Sequence, residues 1–418
     1  MDHKRELKEL QTFRIVVFSF LIIMMEGFDI QAAGISAPKL APALGLQPSQ
    51  LGLFFSASAV GVLLFAAIGG VLADRFGRKP VLIAATFAFG FFCLLTPQCT
   101  DIVTLVAMRF LTGAGLGAAM PVVIAMTSDH SPADQKKRYV GIVYASIAFG
   151  GLLAAGVVAT GILGNGWSQV FYVGGVVPIL ISIGMIFFLP ASKRVVAAPG
   201  APEGNYWIDV LGSKKLPLTL SLWGATFLTL AVMYTMVMWM PSLMGARGIS
   251  RADGAIIQML YNLGSVVTSV ATGYLLDKKL AYAVTIVGYV ILAASLAVLG
   301  LSPLNLLSAS ALGFMIGIGT ATGQTLLYAF APLGYSAPVR NRGVGSTVAA
   351  GRVGTIVGPF VAGQLLMVGL TSGQVLVVLA PVAIAALALC LLVVRFTAGV
   401  TAGADSAPAA MSAKHAHA

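Results

Sequence analysis

Charged residues are scarce in this chain, and their scarcity limits the kinds of protein that it can be. Asp, Glu, Lys and Arg account for 9% of the 418 residues, whereas hydrophobic residues account for 58%. No soluble fold buries so many apolar side chains without leaving large apolar patches on its surface. The composition therefore excludes an ordinary soluble domain and predicts a protein that lies in a bilayer.

Cysteine and histidine are also few. The three cysteines lack the spacing of a metal site, so we interpret them as apolar packing residues. The histidines all fall in expected loops or tails, which excludes a histidine proton relay within the membrane. No metal, cofactor or catalytic set is expected, and the chain is not predicted to be an enzyme. These scarce residues are Cys93, Cys99, Cys390, His3, His130, His415 and His417.

Long apolar stretches, in contrast, fill most of the chain. A membrane-crossing helix needs ~20 mostly apolar residues, and about twelve stretches satisfy this rule. Because lipid offers no partner for backbone groups, each stretch is expected to be a helix. The sequence predicts an all-α membrane protein with transmembrane helices near 13–38, 50–73, 79–98, 101–127, 138–163, 168–189, 217–244, 251–276, 280–301, 304–332, 341–369 and 371–396.

Lys and Arg are concentrated in alternate loops, although a net charge of +11 first suggests a nucleic-acid partner. Basic residues cluster near the N terminus and around 75–79, 136–138, 193–215 and 340–342, and the intervening loops hold few. This alternation follows the positive-inside rule. It predicts a lipid bilayer rather than nucleic acid as the partner, with both termini in the cytoplasm and the first apolar stretch retained as a helix.

The two halves of the chain repeat each other. Gly70 and Asp74 correspond to Gly273 and Asp277, because 273 − 70 and 277 − 74 both equal 203. Ordered matches at a near-constant offset indicate duplicated, pseudo-symmetric halves of six helices each. Further matches at an offset of 202 pair Gly115 and Gly117 with Gly317 and Gly319, and Arg138 with Arg340.

The widest polar gap separates these halves and contains proline, glycine and basic residues, which favour a linker. We therefore predict an N-terminal six-helix bundle at 1–189 and a cytoplasmic linker at 190–216. A C-terminal six-helix bundle is expected at 217–396. The Ala- and Ser-rich segment 397–418 is predicted to be a disordered cytoplasmic tail.

Two carboxyl groups are predicted inside helix 1, where ionisable side chains are costly and point to function. At ~1.5 Å rise per residue, Glu26 lies ~18 Å from the cytoplasmic edge and Asp29 ~23 Å from it. Three residues apart, they share a helix face. Two adjacent carboxyl groups in low dielectric resist carrying two charges. At least one of them is therefore the expected proton carrier, and a structurally neutralised carboxylate is the alternative.

Two arginines are predicted at a similar depth. Arg109 on helix 4 either pairs with helix 1 or binds the charge of a substrate, and the sequence leaves both open. Arg352 on helix 11 lies ~15 Å deep, and its repeat counterpart at an offset of 202 is the uncharged Gly150.

Arg352 is the preferred partner for a bound anion. Helices 7 to 10 and 12 supply no central acid, and a guanidinium binds a carboxylate through two hydrogen bonds without losing its charge. Gln324 and Tyr328, spaced i,i+4 on helix 10, are predicted to line the same cavity.

The loop GVLADRFGRK resembles the signature between helices 2 and 3 of the major facilitator superfamily. The resemblance implies a secondary transporter with its site at mid-membrane between two parallel halves. It also implies a cytoplasmic gate in which Asp129 pairs with Arg78 or Arg138. The gate residues are Gly70, Asp74, Arg75, Gly77, Arg78, Lys79, Asp129, Asp277 and Arg340.

Other segments resemble a narrower group, the aromatic acid:proton symporters. MEGFDIQAAGISAPKLAPALGL resembles their helix 1, with Glu26 in place of the usual Asp, and Arg109 and Asp129 match their helix 4. VRNRGVGSTVAAGRVGTIVGP resembles their helix 11, and the segments look closest to the bacterial branch that carries hydroxyphenylpropionates. The resemblance implies a monomer in the bacterial inner membrane that takes up a proton and a small aromatic carboxylate, either a hydroxyphenylpropionate or a hydroxybenzoate.

Three alternatives stay open. A proton-coupled exporter is disfavoured because helix 5, GIVYASIAFGGLLAAGVV, lacks the proline of the exporter signature. A symporter of non-aromatic carboxylates or sugars is possible, since the arginines suit any acid. A membrane sensor of the acid is the third alternative, although the sequence contains no visible signalling domain.

Overall fold

The computed structural model describes residues 2–132, 136–162, 164, 166–190, 211–212, 215–277, 280–303, 305–335 and 339–405. Within these residues twelve long helices follow one another, and two short 3₁₀ turns adjoin α3 and α10. The helices are α1 (Asp2–Leu44), α2 (Pro48–Phe76), α3 (Arg78–Leu95), α4 (Ile102–His130), α5 (Lys136–Thr160), α6 (Gln169–Phe188), α7 (Leu216–Gly245), α8 (Arg251–Asp277), α9 (Ala281–Leu301), α10 (Leu306–Phe330), α11 (Arg340–Met367) and α12 (Ser372–Asp405).

Length and composition show that these helices suit a membrane. Ten of them, in the part of the chain described, are long and apolar enough to cross a bilayer, and α5 contributes the shorter apolar segment Ser146–Thr160. The predicted all-α fold of twelve helices is confirmed. Helices satisfy their own backbone hydrogen bonds, so the chain needs no other secondary structure in lipid.

The ends of some helices differ from the sequence prediction. The first helix begins at Asp2 rather than near 13, and α12 continues to Asp405 rather than ending near 396. The apolar stretch marks the bilayer core, whereas helical hydrogen bonds continue past it into the interface. Most of the expected linker, 191–210 and 213–214, and the last residues of the expected tail, 406–418, lie outside the described residues.

Close helix contacts reveal the register of the internal repeat. A Cβ on Gly113 would clash with α2, and one on Gly317 would clash with α8. Gly115 and Gly319 likewise face α3 and α9. Both pairs have an offset of 204, since 317 − 113 and 319 − 115 are equal. The expected match of Gly115 and Gly117 with Gly317 and Gly319 was therefore wrong by two residues. The sequence shows only that each position is a glycine, whereas the contacts show which neighbouring helix each glycine faces.

The same correction applies to the counterpart of Arg352. Gly150 packs on α1 and Gly354 packs on α7, which again gives an offset of 204 from 354 − 150. The counterpart of Arg352 is therefore Ala148, since 352 − 204 is 148, and not Gly150. Ala148 is also uncharged, so the arginine still belongs to one half only.

The two halves contact each other near one end of the helices. Across the halves α1 contacts α7, α2 contacts α11, and α5 contacts α8. Ser56 Oγ donates to Ile356 O at 2.7 Å, and a Cβ on Gly363 would lie 2.6 Å from Pro48 O. Because Pro48 begins α2 and Gly363 lies near the end of α11, we call this side the sealed end.

Two hydrogen bonds at the opposite end each lie within one half. Thr12 Oγ1 donates to His130 O at 2.7 Å, joining α1 to the end of α4. In the other half, Thr219 Oγ1 and the Tyr335 hydroxyl lie 3.0 Å apart. These two contacts join helices of the same half. The contacts between halves described above lie between the middle of the helices and the sealed end.

Candidate functional site

A buried ion pair joins α1 to α4 inside the first half. Arg109 donates from Nη1 to Asp29 Oδ1 at 2.6 Å and from Nη2 to Asp29 Oδ2 at 2.9 Å. Both side chains are completely buried. The planar guanidinium matches the two carboxylate oxygens, so each buried charge is neutralised by two directed hydrogen bonds.

Three further side chains enclose this pair. The guanidinium carbon of Arg109 lies 5.5 Å from the centre of the Phe54 ring and 5.9 Å from that of Phe171. Both distances suit cation–π attraction. Cys93 Sγ donates to Asp29 Oδ1 at 3.5 Å. The interpretation of Cys93 as an apolar packing residue was therefore incomplete, and nothing in the sequence spacing pointed to this contact.

The ion pair matches one of the two expectations for Arg109. Asp29 accepts hydrogen bonds from both terminal nitrogens of the guanidinium, and aromatic rings flank it, so in this conformation the arginine faces the helix 1 acid. Asp29 correspondingly has its counter-charge inside its own half. These two residues form a pair here, which is one of the two alternatives that the sequence left open for Arg109.

Glu26 has a different environment from Asp29, although it lies three residues away. Its side chain is 2% exposed, and among the described residues no hydrogen-bond partner reaches its Oε2 atom. Its charge interacts with Arg352 on α11 of the other half. The sequence offers Arg352 no central acid on helices 7 to 10 and 12, and the acid within its electrostatic reach lies in the first half instead.

Two tyrosines complete what we call the central cluster, which consists of Glu26, Tyr234, Tyr328 and Arg352. Arg352 is hydrogen-bonded to the Tyr234 hydroxyl, and Tyr328 lies within electrostatic reach of Tyr234. Arg352 is half-buried and Tyr328 is 38% exposed, so the protein does not fully enclose either side chain. Gln324, one turn from Tyr328 on α10, is also half-buried.

The predicted gate loop forms contacts within the first half. Arg78 Nη1 forms an ion pair with Asp129 Oδ2, one of the two pairings expected for that acid. Lys79 Nζ donates to Ile186 O at 2.9 Å and to Leu189 O at 2.6 Å, at the carboxyl end of α6. A cation suits this position, because carbonyl groups at a helix end lack partners within the helix. The loop thereby ties α3 to α4 and α6.

Glycines shape the turn and the packing beside it. Gly77 separates α2 from α3 with a φ of 93°, a conformation that side chains with a Cβ rarely adopt. A Cβ on Gly70 would meet no atom within 4 Å. A Cβ on Gly69 would lie 2.3 Å from Ala118 O, so the close approach of α2 to α4 depends on Gly69.

The remaining gate candidates lie in different surroundings. Asp74 is exposed, and the Arg75 guanidinium carbon lies 5.3 Å from the centre of the Phe76 ring. Arg340 Nε donates to Tyr335 O at 3.4 Å in its own half. The Asp277 side chain lies outside the described residues.

Comparison with known proteins agrees with this architecture. The model of the Major Facilitator Superfamily matches residues 19–359. The chain belongs to this superfamily. A bacterial homologue of the human lysosomal transporter Spinster, solved in an inward-facing, unoccupied conformation, has a TM-score of 0.74 at 16% identity, covering 93% of this chain and 98% of that one. As a member of this superfamily, the chain is a multi-pass membrane transporter and not an enzyme.

Two curated relatives narrow the comparison. The transporter is 37% identical to the 3-(3-hydroxy-phenyl)propionate transporter of Escherichia coli (strain K12), covering 90% of this chain and 93% of the relative. It is 31% identical to the 4-hydroxybenzoate transporter PcaK of Pseudomonas aeruginosa, covering 91% of this chain and 92% of the relative. Both relatives are named for small aromatic acids.

Proposed function

We propose that the chain is a symporter that takes up an aromatic carboxylate together with a proton. The observation that carries the proposal is that Glu26 and Arg352, which belong to opposite halves, lie within electrostatic reach of each other. An acid and a base that face each other between moving bodies couple the binding of a proton to the binding of an anion.

Arg352 is the proposed partner of the substrate carboxylate. Its side chain is only half-buried, and Tyr234 orients it by a hydrogen bond. The exposed ring of Tyr328 and the amide of Gln324 supply a wall for an aromatic ring. The names of the two relatives favour a hydroxyphenylpropionate or a hydroxybenzoate.

Glu26 is the proposed proton carrier. A proton on this side chain removes the negative charge that faces Arg352, so the carboxylate of the substrate can take its place. Release of the proton restores the original pair and expels the anion. This exchange makes proton and substrate depend on each other, whereas Asp29 keeps its partner Arg109 throughout.

The remaining assignments belong to the same proposal. The protein acts as a monomer in the bacterial inner membrane, with both termini in the cytoplasm, and the sealed end then faces the periplasm. Residues 1–189 and 217–396 are the two moving bundles, joined by the linker 190–216. The gate loop breaks and remakes its contacts as the bundles rock.

Uptake into proteoliposomes tests the proposal. Labelled 3-(3-hydroxyphenyl)propionate should accumulate only with an inward proton gradient, and a panel of aromatic acids should compete in an order that names the substrate. Glu26→Gln should abolish gradient-driven accumulation but retain exchange of labelled for unlabelled substrate, since the amide resembles a carboxyl group that never releases its proton. Arg352→Gln should lose both activities, and the exposed Glu9→Gln should change neither.

Two results would contradict the proposal. Accumulation by Glu26→Gln at the rate of the unsubstituted protein would show that Glu26 does not carry the transported proton. Extrusion of lipophilic dyes, without uptake of any acid in the panel, would identify an exporter.

A further inference from the structure

A polar contact joins the two halves inside the sealed end. Gln31 on α1 donates from Nε2 to Oδ1 of Asn262 on α8 at 2.9 Å. The two side chains are 4% and 5% exposed, so this bond lies away from solvent. Because α1 and α8 belong to different halves, the bond exists only while the halves meet at this end.

A glycine on α5 makes room for this contact. A Cβ on Gly151 would lie 3.0 Å from Gln31 Cγ and 3.2 Å from Asn262 Nδ2, closer than side chains normally approach. A Cβ on Gly156, farther along the same helix, would meet nothing within 4 Å. The backbone of α5 at Gly151 therefore packs directly against both amide side chains, and we call this position the seat.

Unpaired amide atoms surround the bond. Gln258 lies one turn from Asn262 on the same face of α8 and is completely buried. In the described part of the chain no hydrogen-bond partner reaches Gln31 Oε1, Asn262 Nδ2 or either amide atom of Gln258. Buried amide atoms without partners favour hydration. This hydrogen bond and the one from Ser56 to Ile356 O thus both join the halves at this end.

We propose that Gln31 and Asn262, seated on Gly151, form a latch that sets how readily the sealed end opens. The bond keeps the halves together while the cavity faces the other side of the membrane. The latch governs the empty protein, so it does not depend on which substrate or ion the transporter carries.

Removal of one amide should favour the open form. Gln31→Leu or Asn262→Leu leaves the partner amide buried without its bond, which should shift the equilibrium toward opening by about 5- to 150-fold. Replacing both amides leaves no buried amide without its partner. The double variant should therefore shift the equilibrium toward opening by less than the sum of the two single variants. The exchange Gln31→Asn with Asn262→Gln keeps the combined length and should restore most of the closed form.

Pulsed electron paramagnetic resonance measures this equilibrium directly. Ala43 at the end of α1 and Ala246 after α7 are exposed residues of opposite halves, where these helices pack near the sealed end. Spin labels on cysteines at these two positions, in full-length protein in nanodiscs without substrate, should give a short distance. The single Leu variants should add a longer distance that the exchange variant largely removes.

A matched pair of glycine variants tests the seat. Gly151→Ala should push against both amides and shift the distances as the single Leu variants do, whereas Gly156→Ala should behave as the unsubstituted protein. Distance distributions of Gln31→Leu and Asn262→Leu that equal the unsubstituted one would overturn the latch. So would a double variant whose shift equals the sum of the two single shifts, or glycine variants that behave alike. Because no substrate is present, each result is independent of symport.

Discussion

At the scale of single residues, four central charges divide into two pairs with different surroundings. Asp29 and Arg109 are enclosed within one half and make two hydrogen bonds with each other. Glu26 and Arg352 belong to opposite halves and lie within electrostatic reach of each other, and Arg352 is only half-buried. The first pair holds helices together, and the second can change partners as the halves move.

Breaking the enclosed pair should destabilise the protein strongly. Arg109→Met leaves the Asp29 carboxylate buried without its counter-charge, which should lower the free energy of unfolding by ~3–5 kcal/mol. Asp29→Asn combined with Arg109→Met removes both charges and should recover much of this loss. Thermal unfolding of the purified protein in detergent measures both effects. A double variant no more stable than Arg109→Met would show that the pair is not the cause.

The sequence could predict which residues matter here but not how they pair. Each charge stood out because ionisable groups are rare in apolar stretches. Asp29 and Arg109 are 80 residues apart, however, and only the packing of α1 against α4 brings them together. Cys93, Gln31 and Gln258 carry no charge, so nothing in a single sequence distinguished them from ordinary helix residues.

At the scale of helices, glycines decide how closely neighbours approach. Gly69 and Gly70 are adjacent, yet only Gly69 faces the backbone of α4. The sequence selected Gly70 because it begins the recognised loop pattern. A one-residue step turns a side chain ~100° around a helix, so a short motif does not show which of two glycines lies in the contact.

The two glycines therefore provide a matched comparison. Gly69→Ala should force α2 and α4 apart and lower the free energy of unfolding by about 1–3 kcal/mol. Gly70→Ala should be neutral or stabilise α2 by up to ~1 kcal/mol, because its Cβ meets open space. Thermal unfolding in the same detergent checks both, and a loss of stability confined to Gly70→Ala would contradict this packing.

At the scale of the whole molecule, two similar bundles share one interface. Helix number and the existence of the repeat followed from hydrophobic stretches and recurring motifs. The register of the repeat was two residues off in α4 and α10, and the conformation with one sealed end had no signature in the sequence. Both depend on contacts between distant segments, which single-sequence patterns do not record.

The placement of Glu26 and Arg352 in opposite halves has a consequence for the response to membrane voltage. The empty carrier pairs one negative with one positive charge, so together they sum to zero. With a proton on Glu26 and a monovalent carboxylate on Arg352, the sum is again zero. Neither form then moves net charge in these groups when the halves rock, although each elementary charge crossing the membrane would change the energy by ~2.3 kcal/mol per 100 mV.

Transport should therefore be electroneutral. A potassium diffusion potential of either sign, imposed on proteoliposomes without a pH difference, should drive no accumulation of the aromatic acid, whereas a pH difference at zero potential should drive it fully. Accumulation driven by voltage alone would require a second transported proton. A cell that takes up its carbon source this way would draw on acidity outside the membrane and leave its electrical potential intact.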